Sequence, residues 1–207
     1  MLVLNVGYAP DIAKSALWRS GFQSYQDQPK TSESGTQAHR NRKVYRNDNY
    51  NFSFQYPAGD WLVREGSNMS GASLTPREKS KFRQSPEIGV GGAVGQPSDA
   101  DPNRVQILEE DMQSRLAAMK EYGHARNLVV LSKKSMRIQG LPALMSTDKY
   151  QDSATGLLWF DKQILVHTSE DSTSYHLDLH CSPGDAAILL PIFDRIVLSF
   201  RILGPRA

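Results

Sequence analysis

The segment Thr173-Ser174-Tyr175-His176-Leu177-Asp178-Leu179-His180-Cys181 alternates side-chain character without a break. Tyr175, Leu177, Leu179 and Cys181 occupy one set of positions, and His176, Asp178 and His180 the other. Successive side chains of an extended chain point to opposite faces, so this is a strand with one face toward a core and a polar face turned away from it. Three further extended segments lie upstream: Asn127–Ile138, Leu144–Gln151 and Leu157–Thr168. They are separated by Gly140 and Pro142, by Asp152–Gly156 and by Ser169–Ser172. Parallel neighbours need a crossover of about a dozen residues or more, so connections this short make the four strands an antiparallel meander.

A helix is predicted on either side of the meander. Upstream, Asp101 suits an N-cap and Pro102 the first helical position, with Glu109, Glu110 and Asp111 toward the N-terminal half. Val105, Leu108, Met112, Leu116 and Met119 recur at three- and four-residue steps and form one apolar stripe. Gly123 is a good stop, with Lys120 and His124 near the negative end of the dipole. Downstream, Ser182-Pro183-Gly184-Asp185 opens a segment carrying Ile188, Leu189, Ile192, Phe193, Ile196, Val197 and Phe200, an apolar face broad enough for a core. Pro191 cannot donate a helical hydrogen bond and places the start of the main helix at about that residue.

Nearer the N-terminus, Tyr50, Phe52, Phe54 and Tyr56 alternate with Asn51, Ser53 and Gln55, again with the period of a strand. Pro57 and Ala58-Gly59-Asp60 end it, Trp61-Leu62-Val63 begins the next strand, and short extended pieces follow at 71–75 and 87–94. The run Glu87-Ile88-Gly89-Val90-Gly91-Gly92-Ala93-Val94-Gly95 lacks the spacing of a nucleotide loop and has no following Lys-Ser/Thr. It reads as a glycine-rich strand that lets another element approach closely. Residues 23–42 are mostly polar and cannot bury enough apolar surface to offset the entropy of ordering. Residues 11–22, with Ile12, Ala13, Ala16, Leu17 and Phe22, make at most a marginal short helix. The expected organisation is a flexible, largely disordered arm over 1–43 and one domain over 44–207. Strands, helix, meander and helix in that order give an α+β fold, an antiparallel β-sheet sandwiched by helices.

Four features together resemble the PsbP-like family. They are Tyr45 and Tyr50-Asn51-Phe52-Ser53-Phe54-Gln55-Tyr56-Pro57 followed by Trp61, the mid-chain amphipathic helix, the long meander, and the closing Phe193-Asp194-Arg195-Ile196-Val197-Leu198-Ser199-Phe200-Arg201. The resemblance covers about residues 44–203 and implies the PsbP-like α-β-α sandwich. It also implies the range of roles that the fold carries: photosystem II extrinsic subunits, small exported bacterial proteins, and a eukaryotic protein that binds the Ran GTPase. It carries over no functional residue, because the charged docking segments of the photosystem members have no match here.

Bulk composition narrows the function classes. The 24 basic and 22 acidic residues leave a net charge of +2, so no global field draws in nucleic acid or an anionic membrane. A small basic knot, His39-Arg40-Asn41-Arg42-Lys43, stands at the junction with the arm and reads as a solvated run. The single cysteine, Cys181, forms no internal disulfide and excludes a cysteine-rich zinc module. No run approaches the roughly 18 apolar residues of a membrane-spanning helix. The start, Met1-Leu2-Val3-Leu4-Asn5-Val6-Gly7, lacks the basic n-region of a secretory signal; a misassigned start codon would allow export.

The one constellation with ligand chemistry is His176, Asp178 and His180 on a shared strand face, with imidazole, carboxylate and imidazole all suited to zinc or manganese. At ~3.3 Å per residue, however, His176 and His180 lie about 13 Å apart, too far for one ion without a bulge. The plain reading is the solvent face of an antiparallel strand. No nucleophile, acid and base converge in sequence, so the expectation is a non-catalytic, cofactor-free monomer that engages a protein partner and not nucleic acid. A metal-binding protein built on His176, Asp178 and His180 is the first alternative, and a GTPase-interacting adaptor the second.

Overall fold

A computed structural model describes residues 42–66, 70–94, 104–121, 125–168 and 173–204. The arm expected over 1–43, including the short helix at 11–22, therefore lies outside the described residues except for Arg42 and Lys43. So do Asp101, Pro102 and Gly123, the expected helix boundaries.

Seven strands form one antiparallel sheet: β3 (Trp61–Glu65), β4 (Gly71–Pro76), β5 (Glu87–Val94), β6 (Ala125–Ile138), β7 (Leu141–Asp152), β8 (Leu158–His167) and β9 (Thr173–Cys181). Their spatial order is β3-β4-β5-β9-β8-β7-β6. The meander is as its loop lengths require, with β6 to β9 each antiparallel to the next in sequence. The β6–β7 connection is the two-residue turn Gln139-Gly140 between the paired Ile138 and Leu141. Both turn residues have positive φ, 52° and 81°, the backbone of a type I′ hairpin turn, whose twist matches that of the flanking strands. Glycine-rich β5 then inserts beside β9. That pairing joins the N-terminal strands to the meander.

Two α-helices are present among the described residues. α1 (Arg104–Glu121) packs on β6, β7 and β8. Of the stripe read from the sequence, Leu108, Met112, Leu116 and Met119 are buried against Leu144, Tyr150, Trp159 and Leu165, and the Val105 side chain lies outside what is described. Full burial of such side chains contributes about 1.5–3 kcal/mol each. α2 (Ala186–Ser199) covers the opposite face at β9. It begins five residues before Pro191, contrary to the sequence expectation. Pro191 and Ala187 are both exposed, so the carbonyl that loses its helical partner faces water, which replaces the missing donor.

The aromatic strand near the N-terminus does not join the large sheet. β1 (Arg42–Asn47), β2 (Phe52–Pro57) and β10 (Arg201–Ile202) form a separate three-stranded sheet in the order β1-β2-β10. It shares with α2 the covering of the β9 face. Tyr45, Phe52 and Phe54 are buried there with Tyr175 and Phe200. Phe52 and Tyr175 meet edge-on at 5.9 Å, and the Tyr175 hydroxyl donates to the Tyr50 carbonyl at 2.8 Å. The α-β-α sandwich is therefore present with a small second sheet added to one outer layer.

Candidate functional site

On β9 the burial alternates as predicted, with Tyr175, Leu177, Leu179 and Cys181 fully enclosed and His176, Asp178 and His180 on the other face. That other face is not the open solvent face expected from the sequence. It is the α1 side of the sheet, and all three polar residues are partly buried. The reason is on the neighbouring strand. His176 lies opposite Gly91 and Asp178 opposite Gly89. A Cβ on Gly91 would sit 2.5 Å from the imidazole Cε1, and one on Gly89 would sit 2.7 Å from the Asp178 carboxylate. The glycines thus form notches into which the two polar side chains lie down. Burial, reinforced by the nearby Arg115 and only partly offset by Asp178, pulls the His176 pKa down to about 4.

His180 is held differently. Its Nδ1 pairs with the buried Asp161 carboxylate on β8. The ring stacks on Trp159, and the Tyr150 hydroxyl stands 3.4 Å from the same nitrogen. Asp161 in turn lies opposite Asp148 on β7. Asp148 is fully buried and accepts a 2.8 Å hydrogen bond from the Ser146 hydroxyl. Desolvation pushes its pKa up to about 6, the Ser146 bond working against that shift and the Asp161 charge adding to it. Gln163, also buried, donates to the Met119 sulfur of α1 at 3.5 Å. The sequence reading missed Asp148, Asp161 and Gln163. Strand parity sets Ser146 and Asp148 in line with the core residues Leu144 and Tyr150, but parity alone does not say whether that face is covered.

His176, Asp178 and His180 therefore share a face but enter three separate arrangements. Among the described residues, no three His, Cys, Asp or Glu side chains come together as a metal-binding group. Cys181 points into the opposite core, away from His180, and burial pushes its thiol up to about 12. That thiol is packing.

Accessible chemistry lies elsewhere, at the β6 end of the large sheet. Val129, Val130 and Leu131 are 54%, 45% and 49% exposed, and Leu158 on β8 is 59% exposed. Two register shifts, Arg126 to Val129 and Val130 to Ser132, bracket the three apolar residues, and Asn127 takes positive φ at the first. Residues 129–135 of this outermost strand are all exposed, in the shifted and the regular stretch alike, so the consecutive apolar residues all reach solvent. β6 also carries Arg126, Lys133, Lys134 and Arg137 and no acidic residue. A concave region, an open cleft of about 550 Å³, lies between α2 and β1–β2. Val44 and Leu198 are exposed there, and Arg42, Arg195 and Arg201 also line it.

No protein-family model and no curated protein matches the chain. Solved structures do. Cyanobacterial PsbP (CyanoP) from Synechocystis sp. PCC 6803 is similar with a TM-score of 0.59 at 13% identity, over 83% of this chain and 98% of that one. The Ran-binding protein Mog1p of Saccharomyces cerevisiae is similar with a TM-score of 0.57 at 11% identity, over 79% and 96%. LpqN of Mycobacterium tuberculosis, described as involved in cell envelope biogenesis, is similar with a TM-score of 0.55 at 15% identity, over 79% and 91%. At such identities the likeness shows the fold, and the fold is PsbP-like. Among the described residues no helix is long and apolar enough to cross a membrane.

Proposed function

We propose, with the PsbP-like fold as the premise, that this protein is a non-catalytic binding or accessory domain that engages a protein partner through the β6 end of its large sheet. The observation carrying this reading is that Val129, Val130 and Leu131 on the outermost strand, and Leu158 two strands away, are about half exposed or more, on a strand that carries four basic residues and no acidic one. Contiguous exposed apolar residues rimmed by polar ones mark interaction surfaces. The ionisable groups of the α1 face support it from the other side. Asp148 and Asp161 are sealed beneath the helix, and a reacting carboxylate needs access to its substrate.

A photo-crosslinking residue at position 131, compared with one at Leu198 in the α2 cleft, tests the reading in the source cells. The expected result is a discrete protein adduct from position 131 that disappears when Val129 and Leu158 are changed to Asp. Adducts from Leu198 alone would move the interface to the cleft, and none from either position would end the proposal.

A GTPase is one partner class within this reading, motivated by the similarity to the Ran-binding yeast protein. Nucleotide release from a candidate GTPase that stays unchanged at saturating protein would remove it. The metal reading rests on His176, Asp178 and His180, with Asp161 beside His180 as a further donor. Zinc and manganese far below one per chain in protein purified without chelator or tag would close it.

A further inference from the structure

Resting on that partner-binding reading, we infer that the outer edge of β6 accepts an extended segment of the partner, mixed apolar and acidic, as an added strand of the large sheet. β6 is 14 residues long. It is the outermost strand on its side, and among the described residues it pairs only with β7. Half of its backbone donors and acceptors therefore point outward. An extended peptide satisfies them in the geometry the sheet already fixes, and side chains at alternate positions then select the sequence.

The two parts of β6 have different tasks. From Ser132 to Ile138 the register with β7 runs without a shift, from Thr147 to Leu141, so this stretch is a regular template. Upstream, the shifts around Val129–Leu131 interrupt the template, and the apolar side chains there are exposed. An incoming strand thus meets a regular ladder beside Lys133, Lys134 and Arg137, and an apolar contact at its other end.

Charge decides the occupant. Lys133 and Lys134 lie in the regular stretch, so two copies pairing antiparallel around it would set lysine near lysine. Like charges opposite one another in a sheet are destabilising. Lys134, and Lys133 beyond its 4.0 Å pairing with Glu109 of α1, favour glutamate or aspartate at the facing positions. The edge is thereby closed to its own kind and open to a strand of opposite charge.

The test uses the full chain and a capped synthetic peptide of about ten residues in which Glu alternates with Val and Thr. A counterpart carries Lys in place of each Glu. Backbone hydrogen exchange is followed residue by residue. The acidic peptide is expected to slow exchange saturably along Ser132–Ile138. Lys133→Glu with Lys134→Glu, both exposed on the strand, are expected to weaken that binding about fivefold or more and to reverse the preference toward the lysine peptide. Three results overturn strand addition: protection confined to another strand, equal binding of both peptides, or edge amides already protected in the free protein. The last would mean that residues of the chain outside the described set, or a second copy, already occupy the edge. Failure here leaves the partner reading intact if crosslinks from position 131 persist, and loss of those crosslinks leaves the peptide result to stand by itself.

Discussion

The imidazole of His180 lies face to face with the indole of Trp159, ring centroids 3.9 Å apart and planes within 20° of parallel, while its Nδ1 engages Asp161. This contact anchors one end of a row of ionisable groups across β9, β8 and β7. Removing the imidazole deprives a buried carboxylate of its cationic or donor partner, a change that costs several kcal/mol when the remaining charge cannot reach water. His180→Ala is expected to lower unfolding free energy in urea by about 3 kcal/mol, and Asp161→Asn by less. The double variant should recover at least ~1 kcal/mol relative to the sum of the singles. Strict additivity would show that the pair is not coupled.

Asp148 and His176 give opposite pH slopes. The folded pKa of Asp148 is raised to about 6 from 3.8, so the folded state holds the proton more tightly and stability from this group falls as pH rises between those values. The folded pKa of His176 is lowered to about 4 from 6.5, so its contribution is complete above 6.5 and is lost as pH falls toward 4. Each is worth roughly 2–3 kcal/mol by linkage. Within pH 4 to 6.5 the two largely cancel. Asp148→Asn should therefore leave a protein that weakens as it is acidified, and His176→Gln one that strengthens. Urea midpoints at pH 4.5 and pH 7 read this directly; unchanged slopes in both variants would refute the assignment.

The His176 ring should also titrate late. Its Hε1 resonance is expected to hold a neutral-imidazole shift until the pH nears about 4. Gly91→Ala places a methyl group against the ring and should displace it toward water, moving the midpoint back up. A wild-type midpoint above 6 would mean that the notch does not enclose the ring.

Three glycines rank by what an added methyl group would strike. At Gly71 it meets the Val90 carbonyl oxygen at 2.4 Å and Gly91 Cα at 2.6 Å, both backbone. At Gly91 it meets an imidazole ring, and at Gly89 the end of a carboxylate side chain. Overpacking costs typically about 1–3 kcal/mol, more where the neighbour cannot move. Thermal unfolding should place Gly71→Ala lowest, Gly91→Ala next and Gly89→Ala nearest wild type. A reversed order would indicate that β4 and β5 separate more readily than side chains rotate.

Periodicity carried most of this architecture. The meander, the α1 stripe and the alternation of β9 were legible because each follows from one side-chain period against one buried face. Two things were not. The separate sheet of β1, β2 and β10 rests on Arg201–Ile202 pairing with Phe52–Ser53, a two-residue strand too short to leave a pattern. The polar interior was hidden because Ser146, Asp148, Asp161 and Gln163 occupy positions that alternation alone assigns to either a solvent face or a core. Only the packing of α1 over β7 and β8 decides between them. The glycines of β5 were read correctly as places of close approach, but which side chains approach depends on β5 lying next to β9, a pairing between segments far apart in sequence.

That long-range pairing has a counterpart in the small sheet. Gln55 donates its backbone N–H to the Ser199 hydroxyl across 144 positions of chain, and β10 completes the same strand from the far side. A chain emerging from the ribosome exposes the aromatic face of Phe52 and Phe54 early and receives its cover last. Until α2 and β10 are made those rings are a sticky surface, and nascent domains are most vulnerable to misassembly in that interval. Truncation just before Phe200 should thus yield aggregates rather than a shortened native fold, and chaperones would be expected to find this domain by its aromatic strand β2.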